Sequence, residues 1–210
     1  MGGYDGPQAV SGRIVILNGT PRAGKSSIAA AMQQHLPGRW INLGVDAQNK
    51  TLPPQLLPGI GLRPGGERPD LEPNVIPLYL ALYGAIAAHA RQGFDVVADV
   101  GHHDDYSRPL GILPQCARLL AGLPVLFVGV HCPIEVIMVR RNADPQSGLY
   151  VGGDSVPAPV LRWQEAVHVP GIYDVSVDSS VLTPQDCVAV IAEALRTPKR
   201  PSAFEVLAGM

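Results

Sequence analysis

Apolar and polar residues along the chain follow two alternating patterns. Five short apolar runs, rich in Val and Ile, have the length and composition of buried strands. They are RIVIL at 13–17, WINLGV at 40–45, FDVVADV at 94–100, PVLFVGV at 124–130 and YDVSV at 173–177. Between them, apolar residues recur at helical spacing over 25–36, 76–92, 105–121, 133–142, 158–167 and 184–196. This alternation predicts a three-layer α/β fold, with a central five-stranded parallel sheet covered by helices on both faces and joined by right-handed crossovers.

Two irregular segments interrupt this pattern. Residues 49–77 are rich in proline, which excludes long helices and predicts a surface path with at most short turns. Residues 142–158 are rich in Gly, Pro and Asp. Long irregular insertions are often lids or binding loops, although tolerance at the surface explains many of them. Both interpretations stay open for 49–77, and a lid is the favoured interpretation of 142–158.

Length and composition indicate one folded domain. The 210 residues are 46% hydrophobic and 16% charged, and no apolar run is long enough to span a membrane. We expect a domain over 13–196, a flexible leader over 1–12 and a peripheral tail over 197–210. The net charge of -2, without a block of Lys or Arg, argues against nucleic acid or an anionic membrane as partner. Small-molecule chemistry is therefore the expected class.

The three cysteines are far apart and odd in number, a pattern that favours reduced thiols over a disulfide framework. A cytoplasmic location is the corresponding expectation. The oligomeric state has no signal in the sequence.

The segment GTPRAGKSS follows the first apolar run and opens the first predicted helix. A glycine, four residues and then Gly-Lys-Ser is the spacing of a loop that wraps a phosphate chain. Its glycines permit inward-pointing N–H groups, and the helix N-terminus favours an anion. Lys25 would reach the β- and γ-phosphates, and the Ser26 hydroxyl would bind magnesium. We therefore expect ATP and Mg²⁺. The predicted nucleotide-binding residues are Gly19, Thr20, Pro21, Arg22, Ala23, Gly24, Lys25, Ser26 and Ser27.

Two carboxylates follow predicted strands, at the sheet edge where ligands bind in open parallel sheets. Asp46 is the candidate general base that would accept the proton of an acceptor hydroxyl. Its alternative role is to cap a helix that starts at Ala47. Asp99 is the candidate second carboxylate of the magnesium site, where it would hold a metal-bound water or Ser26, and its alternative role is that of a strand-end turn residue.

Arginines, histidines and tryptophans supply further candidates. Arg140 or Arg141 could neutralise the transferring phosphoryl group from a mobile lid, while the other of the pair would be a solvated cation at a helix end. The run GHHDD, with His102 and His103, is interpreted as a substrate-facing loop or a solvated turn rather than a metal cluster. Core packing is favoured over pocket lining for the two tryptophans, Trp40 and Trp163.

Several of these segments together resemble the chloramphenicol phosphotransferase family of small P-loop enzymes. The resemblance covers about residues 13–196 and rests on RIVILNGTPRAGKSSIA, LPGRWINLGVD, DVVADV, VLFVGVHCPIEVIMVRR and WQEAVHVPGIYDVSVDSS. It implies ATP-dependent phosphorylation of the primary hydroxyl of chloramphenicol, a route to antibiotic resistance. It also implies that Asp46 is the catalytic base, Lys25 the P-loop lysine, Ser26 the magnesium ligand and Arg140 the lid arginine.

The chain departs from the family pattern around the expected acceptor site. After Arg140 the family's lid carries further arginine, whereas this chain continues RNADPQSGLYVGGD. The segment after Asp46 and the GHHDD run also differ. We expect an alcohol-group kinase of the EC 2.7.1 type that acts on chloramphenicol, and a kinase of another small hydroxylated metabolite is the alternative within the same class. A protein that binds ATP for regulation, without acceptor chemistry, is the alternative from another class; it would have no need of Asp46.

Overall fold

The computed structural model describes residues 10–143 and 155–210. Residues 1–9 of the expected leader and most of the expected lid lie outside these ranges. The helices and strands, in chain order, are β1 (Ile14–Asn18), α1 (Lys25–His35), β2 (Trp40–Asn42), α2 (Val45–Asn49), α3 (Val75–Arg91), β3 (Asp95–Val100), α4 (Ile112–Leu119), β4 (Val125–His131), α5 (Ile134–Ala143), α6 (Ala158–Ala166), β5 (Val175–Asp178), α7 (Pro184–Arg196) and α8 (Ala203–Ala208).

The five strands form one parallel sheet in the order β2-β3-β1-β4-β5. Strand β1 is central, and its sequence IVILN is buried at every position because neighbours and helices surround it. Leu17 of β1 pairs with Asp99 of β3 and with Val128 of β4. The carboxyl ends of these strands are therefore level, so the loop after β1 begins beside Asp99.

Apolar clusters cover both faces of the sheet. On one face, Tyr83 and Ile86 of α3 pack with Phe127 of β4. On the other face, Met32 of α1 and Ile191 of α7 pack against the opposite side of the strands. This arrangement confirms the predicted three-layer α/β fold with a five-stranded parallel sheet.

Helix α4 begins at Ile112, seven residues later than the apolar spacing predicted. The preceding residues form a loop in which the Asp104 carboxylate accepts hydrogen bonds from the backbone N–H groups of Leu110 and Gly111, at 2.7 and 3.0 Å. Pro109 has no N–H to donate, and Gly111 has a φ of 60°, so neither continues a helix here. Local turn chemistry thus replaces the first part of the predicted helix.

The expectation of a peripheral C-terminal tail is wrong. Residues 203–208 form helix α8, which begins with a capping box between Ser202 and Glu205. Phe204 and Leu207 are buried in the cluster on the α3 face of the sheet. The buried carboxylate of Asp174 accepts one hydrogen bond from the backbone N of Ala203 and another from the backbone N of Phe127, both at 2.7 Å. This carboxylate joins α8 to strand β4.

The proline-rich segment after α2 contains only single 3₁₀ turns, at Pro54–Leu56, Gly59–Gly61 and Glu72–Asn74, as predicted. It does not stay at the surface throughout, because Ile60, Leu62 and Leu71 are buried in the core. Within the described ranges, no helix has the length and apolar character needed to cross a membrane.

Candidate active site

The phosphate loop turns at the carboxyl end of β1. Gly24, with a φ of 85°, precedes Lys25, the first residue of α1. Arg22, with a φ of 70°, is the one non-glycine residue in the described ranges that has a left-handed backbone. Lys25 Nζ donates hydrogen bonds to the carbonyl oxygens of Gly19 and Thr20, both at 2.8 Å. These two hydrogen bonds therefore hold the Lys25 side chain against the backbone of the phosphate loop.

The environment of Lys25 changes its acidity. Burial lowers the pKa of Lys25 from 10.5 to about 8, and the negative charges of Asp99 and Asp46 oppose this shift. Both candidate carboxylates are therefore electrostatic neighbours of the ammonium group. A bound polyphosphate would add negative charge and favour the protonated lysine.

Ser26 and Asp99 meet as the sequence predicted. Ser26 Oγ donates a hydrogen bond of 2.6 Å to Asp99 Oδ2. A hydroxyl and a carboxylate are oxygen ligands of the kind that Mg²⁺ prefers, so the pair fits this cation. No group of three or more His, Cys, Asp or Glu side chains in the described part of the chain converges as a metal site.

Asp46 lies on the first turn of α2 and is exposed. The helix starts at Val45, with Gly44 as the preceding cap residue. The alternative in which Asp46 caps a helix starting at Ala47 is therefore wrong. Its carboxylate lines the same cavity as Lys25 and Asp99.

Arg140 contacts the phosphate loop from the last turn of α5. Its Nη1 donates to the carbonyl oxygen of Arg22 at 3.2 Å and to Ser179 Oγ at 3.1 Å, and its Nη2 donates to the carbonyl oxygen of Ser179 at 2.5 Å. Nη1 lies 3.5 Å from the position that a Cβ on Gly24 would occupy. Arg141 is buried and also lines the cavity, so the expectation that the second arginine of the pair is a solvated cation is wrong. The structure therefore places Arg140 directly against the loop.

A cavity of about 1450 Å³ opens above the carboxyl ends of the strands. The strand order puts the loop after β1 in its middle, elements after β4 and β5 on one side, and elements after β2 and β3 on the other, where Trp163 of α6 joins them by packing against Gly101. We call these two sides the nucleotide half and the acceptor half. The nucleotide half includes Ile137, Arg140, Arg141, Ser179, Leu182 and Pro184. The acceptor half includes Val45, Asp46, Leu57, Ile60, Leu62, Arg63, Glu67, Arg68, Val100, Gly101 and Trp163.

The proline-rich segment therefore contributes to the acceptor half of the cavity, and its role as a binding loop stays a prediction. Trp40 belongs to the core, in agreement with the favoured interpretation. Trp163 is also largely buried, but its ring lines the cavity, because Gly101 leaves space for it. The preference for core packing was thus incomplete for this residue.

The two adjacent histidines are buried, so the interpretation of their segment as a solvated turn is wrong for them. His102 Nε2 forms a hydrogen bond of 2.8 Å with the Tyr83 hydroxyl, and burial lowers the pKa of His102 to about 3. His103 Nε2 forms a hydrogen bond of 2.9 Å with the carbonyl oxygen of Leu62. Neither belongs to the lining of the cavity in the described ranges. Both histidines instead fix the loop after β3.

Two polar residues that support the site were missed from the sequence. Ser179 Oγ donates to the carbonyl oxygen of Ala23 at 2.7 Å, so the end of β5 is bonded to the phosphate loop. Asn18 Nδ2 donates to the carbonyl oxygen of Val167 and to the Tyr173 hydroxyl, both at 2.8 Å. Its Oδ1 accepts a hydrogen bond from the backbone N of His102 at 2.7 Å. Asn18 could have been recognised from its position, because it is a polar residue that ends an apolar strand directly before the loop.

Comparison with known proteins adds independent findings. The family model described as "Chloramphenicol phosphotransferase-like protein" matches residues 12–196. A protein of Mycobacterium tuberculosis named "Putative O-phosphotransferase", recorded in two strains, is 28% identical over 211 residues, which span 93% of this chain and 88% of the relative.

Solved structures with the same fold include kinases. The APS kinase of Mycobacterium tuberculosis, in complex with AMPPNP and APS, is 15% identical with a TM-score of 0.59. The match covers 89% of this chain and 98% of the APS kinase chain. The shikimate kinase of Acinetobacter baumannii, in complex with shikimate, is 12% identical with a TM-score of 0.58, covering 91% and 97%. At these identities the likeness concerns the fold.

Proposed function

This chain belongs to the chloramphenicol phosphotransferase-like family and is a phosphotransferase that acts on a hydroxyl; from that premise we propose that it transfers the γ-phosphoryl group of ATP, with Mg²⁺, to a small hydroxylated molecule. One observation carries the proposal. Lys25, the Ser26–Asp99 pair and Asp46 all line the same cavity above the sheet. A phosphate-binding lysine, a site that fits magnesium and a carboxylate for the acceptor are the parts that phosphoryl transfer needs.

The phosphate end of the site supplies charge neutralisation. The backbone of residues 19–24 and the N-terminus of α1 would hold the phosphates, and Lys25 would leave its carbonyl partners to contact the β- and γ-phosphates. Magnesium bound at Ser26 and Asp99 would neutralise charge on the phosphate oxygens. Arg140, already against the loop, would stabilise the negative charge on the phosphoryl group as it leaves ADP.

The acceptor end supplies the base. Asp46 would orient the acceptor hydroxyl and accept its proton. A bond forms between the acceptor oxygen and the γ-phosphorus while the bond from that phosphorus to the ADP oxygen breaks. The exposed position of Asp46 at the cavity suits this role, because the carboxylate stays accessible to an acceptor.

Chloramphenicol is the first acceptor to test. The family match supports it, and phosphorylation of its primary hydroxyl would make the protein a resistance enzyme. The apolar residues of the acceptor half, such as Ile60, Leu62 and Trp163, would suit the apolar part of such a molecule. The polar rim formed by Arg63 and Glu67 comes from the segment that departs from the family pattern. Another hydroxylated metabolite is therefore the second acceptor class in the test.

The test is ADP release by the purified protein with Mg-ATP, with and without chloramphenicol, followed by mass spectrometry of the drug. We expect one added phosphoryl group on the primary hydroxyl. Asp46→Asn should abolish transfer and leave ATP affinity nearly unchanged. Glu165→Gln, at an exposed carboxylate of α6, is the matched control and should keep full activity.

Other results separate the alternatives. ATP binding without phosphorylated drug would reject chloramphenicol and lead to a panel of hydroxylated metabolites. Loss of ATP binding in Asp46→Asn would show that Asp46 serves the nucleotide rather than the acceptor. Full transfer by Asp46→Asn would exclude it as the base.

A further inference from the structure

Gly44 lies in the connection between β2 and α2 and is buried. A Cβ at this position would lie 1.6 Å from Asp99 Oδ1, 2.8 Å from Asp99 Cγ and 3.0 Å from the carbonyl oxygen of Asp99. The backbone angles of Gly44, φ -108° and ψ -177°, are extended and open to any residue. Glycine is therefore required here because any side chain would collide with Asp99, and not because of the backbone conformation.

The Asp99 carboxylate is confined on its other side as well. Its Oδ2 accepts the hydrogen bond from Ser26 Oγ at 2.6 Å, while its Oδ1 lies against Gly44. Asp99 belongs to β3, which pairs with β1 on one side and with β2 on the other. Because this backbone is held within the sheet, a larger residue at 44 would have to rotate the carboxylate or displace α2.

Both movements would affect the site. Rotation of the carboxylate would break its contact with Ser26. Displacement of α2 would move Asp46, which lies two residues after Gly44, since the helix begins with a hydrogen bond from Gln48 N to the carbonyl oxygen of Gly44 at 3.0 Å. One close contact thus connects the candidate metal ligand to the candidate base.

We propose that Gly44 is a positioning residue that holds Asp99 against Ser26 and fixes α2, with Asp46, in the same geometry. The role in catalysis rests on the function proposed above. The direct consequence of the proposal is that the loss of stability caused by Gly44→Ala depends on the side chain of Asp99. This consequence can be measured without any reaction.

The experiment compares Gly44→Ala in three backgrounds: wild type, Asp99→Asn and Asp99→Ala. Asparagine keeps the Cγ and Oδ1 atoms that a Cβ at 44 would meet, whereas alanine removes both. Gly84→Ala is the control glycine substitution, since a Cβ at position 84 in α3 meets nothing within 4 Å. A double-mutant comparison of this kind isolates the interaction between the two positions.

In thermal unfolding, Gly44→Ala should lower the Tm by about 3 to 9 °C in the wild-type and Asp99→Asn backgrounds, the range expected for overpacking in a chain of this size. In the Asp99→Ala background the decrease should be less than half as large. Gly84→Ala should not lower the Tm, because alanine favours a helix. Equal decreases in all three backgrounds would overturn the proposal.

Calorimetric titration with ATP supplies the second measurement. Excess Mg²⁺ should tighten ATP binding to the wild type, and Gly44→Ala should reduce that gain by about tenfold or more, leaving affinity in EDTA within about twofold. An unchanged gain in Gly44→Ala would overturn the proposal. Absence of ATP binding by the wild type would instead refute the proposed function and the catalytic role of Gly44, while the Tm comparison would still decide the contact with Asp99.

Discussion

Lys25 gives a prediction with a defined sign. Its pKa in the folded protein is about 8, against an ordinary value of 10.5, because the ammonium is held within the phosphate loop. Unfolding exposes the side chain and restores the ordinary pKa. Between about pH 8 and 10.5 the unfolded chain therefore binds more protons than the folded protein, so the free energy of unfolding rises with pH in this window.

The size of the effect follows from the two pKa values. The shift from 10.5 to about 8 corresponds to at most about 3.4 kcal/mol, at about 1.4 kcal/mol for each pKa unit. Part of Lys25 remains accessible to solvent, so this value is an upper limit. Below about pH 8 the charged lysine thus lowers the free energy of unfolding of the nucleotide-free protein. This loss of stability decreases as the ammonium loses its proton.

The assay compares urea unfolding of the wild type and of Lys25→Met at about pH 7, 8.5 and 10. Methionine has similar length and no charge. Subtracting the two free energies of unfolding cancels the titration of the groups that both proteins share, while the loss of the lysine's hydrogen bonds remains as an offset. The wild-type value minus the variant value should be constant below about pH 8. Above it, the difference should rise by up to about 1.4 kcal/mol per pH unit.

Two results would refute this reasoning. The same pH dependence in both proteins would mean that Lys25 keeps its ordinary pKa and does not lie buried in the loop. A difference that falls with pH would mean that the loop stabilises the charged lysine even without phosphate.

Four further substitutions, one of them a control, test the residues that support the site and the packing of the core. Ser179→Ala removes the hydroxyl that bonds the phosphate loop and accepts from Arg140, so steady-state kinetics should show about a fivefold higher KM for ATP. Asn18→Ala removes the amide that bonds two buried groups, the carbonyl oxygen of Val167 and the backbone N of His102, and urea unfolding should show a loss of about 2 to 4 kcal/mol. Phe204→Ala in α8 should cost about 3 to 5 kcal/mol, whereas Val206→Ala on the exposed face should cost less than about 1 kcal/mol.

The contradicting outcomes differ among these variants. An unchanged KM with a lower kcat for Ser179→Ala would place the serine in the transfer step rather than in nucleotide binding. A loss below about 1 kcal/mol for Asn18→Ala would mean that water replaces the amide. Equal losses for Phe204→Ala and Val206→Ala would show that α8 does not pack as described.

The sequence was informative where a short pattern determines the structure. The spacing of one loop predicts the positions of Lys25 and Ser26 in the phosphate loop. The place of Asp99 at the end of an apolar strand in a parallel sheet predicts its position at the same edge of the sheet. Ser179 and Asn18 could not be recognised in this way. The partners of Ser179 and Asn18, at Ala23 and Val167, are 156 and 149 residues away along the chain, so their roles depend on the finished fold.

Helix α8 has a practical consequence for anyone who shortens this protein. The match to the family ends at residue 196, yet the apolar cluster that covers one face of the sheet is completed by residues beyond it. A fragment cut at that boundary would uncover the ring of Phe127, which meets Phe204 at 5.1 Å between centroids, and would take one hydrogen-bond donor from Asp174. Such a fragment would expose an aromatic patch next to a carboxylate that has lost one of its partners, and we expect it to aggregate during purification. The folding unit therefore extends past the region that similarity defines.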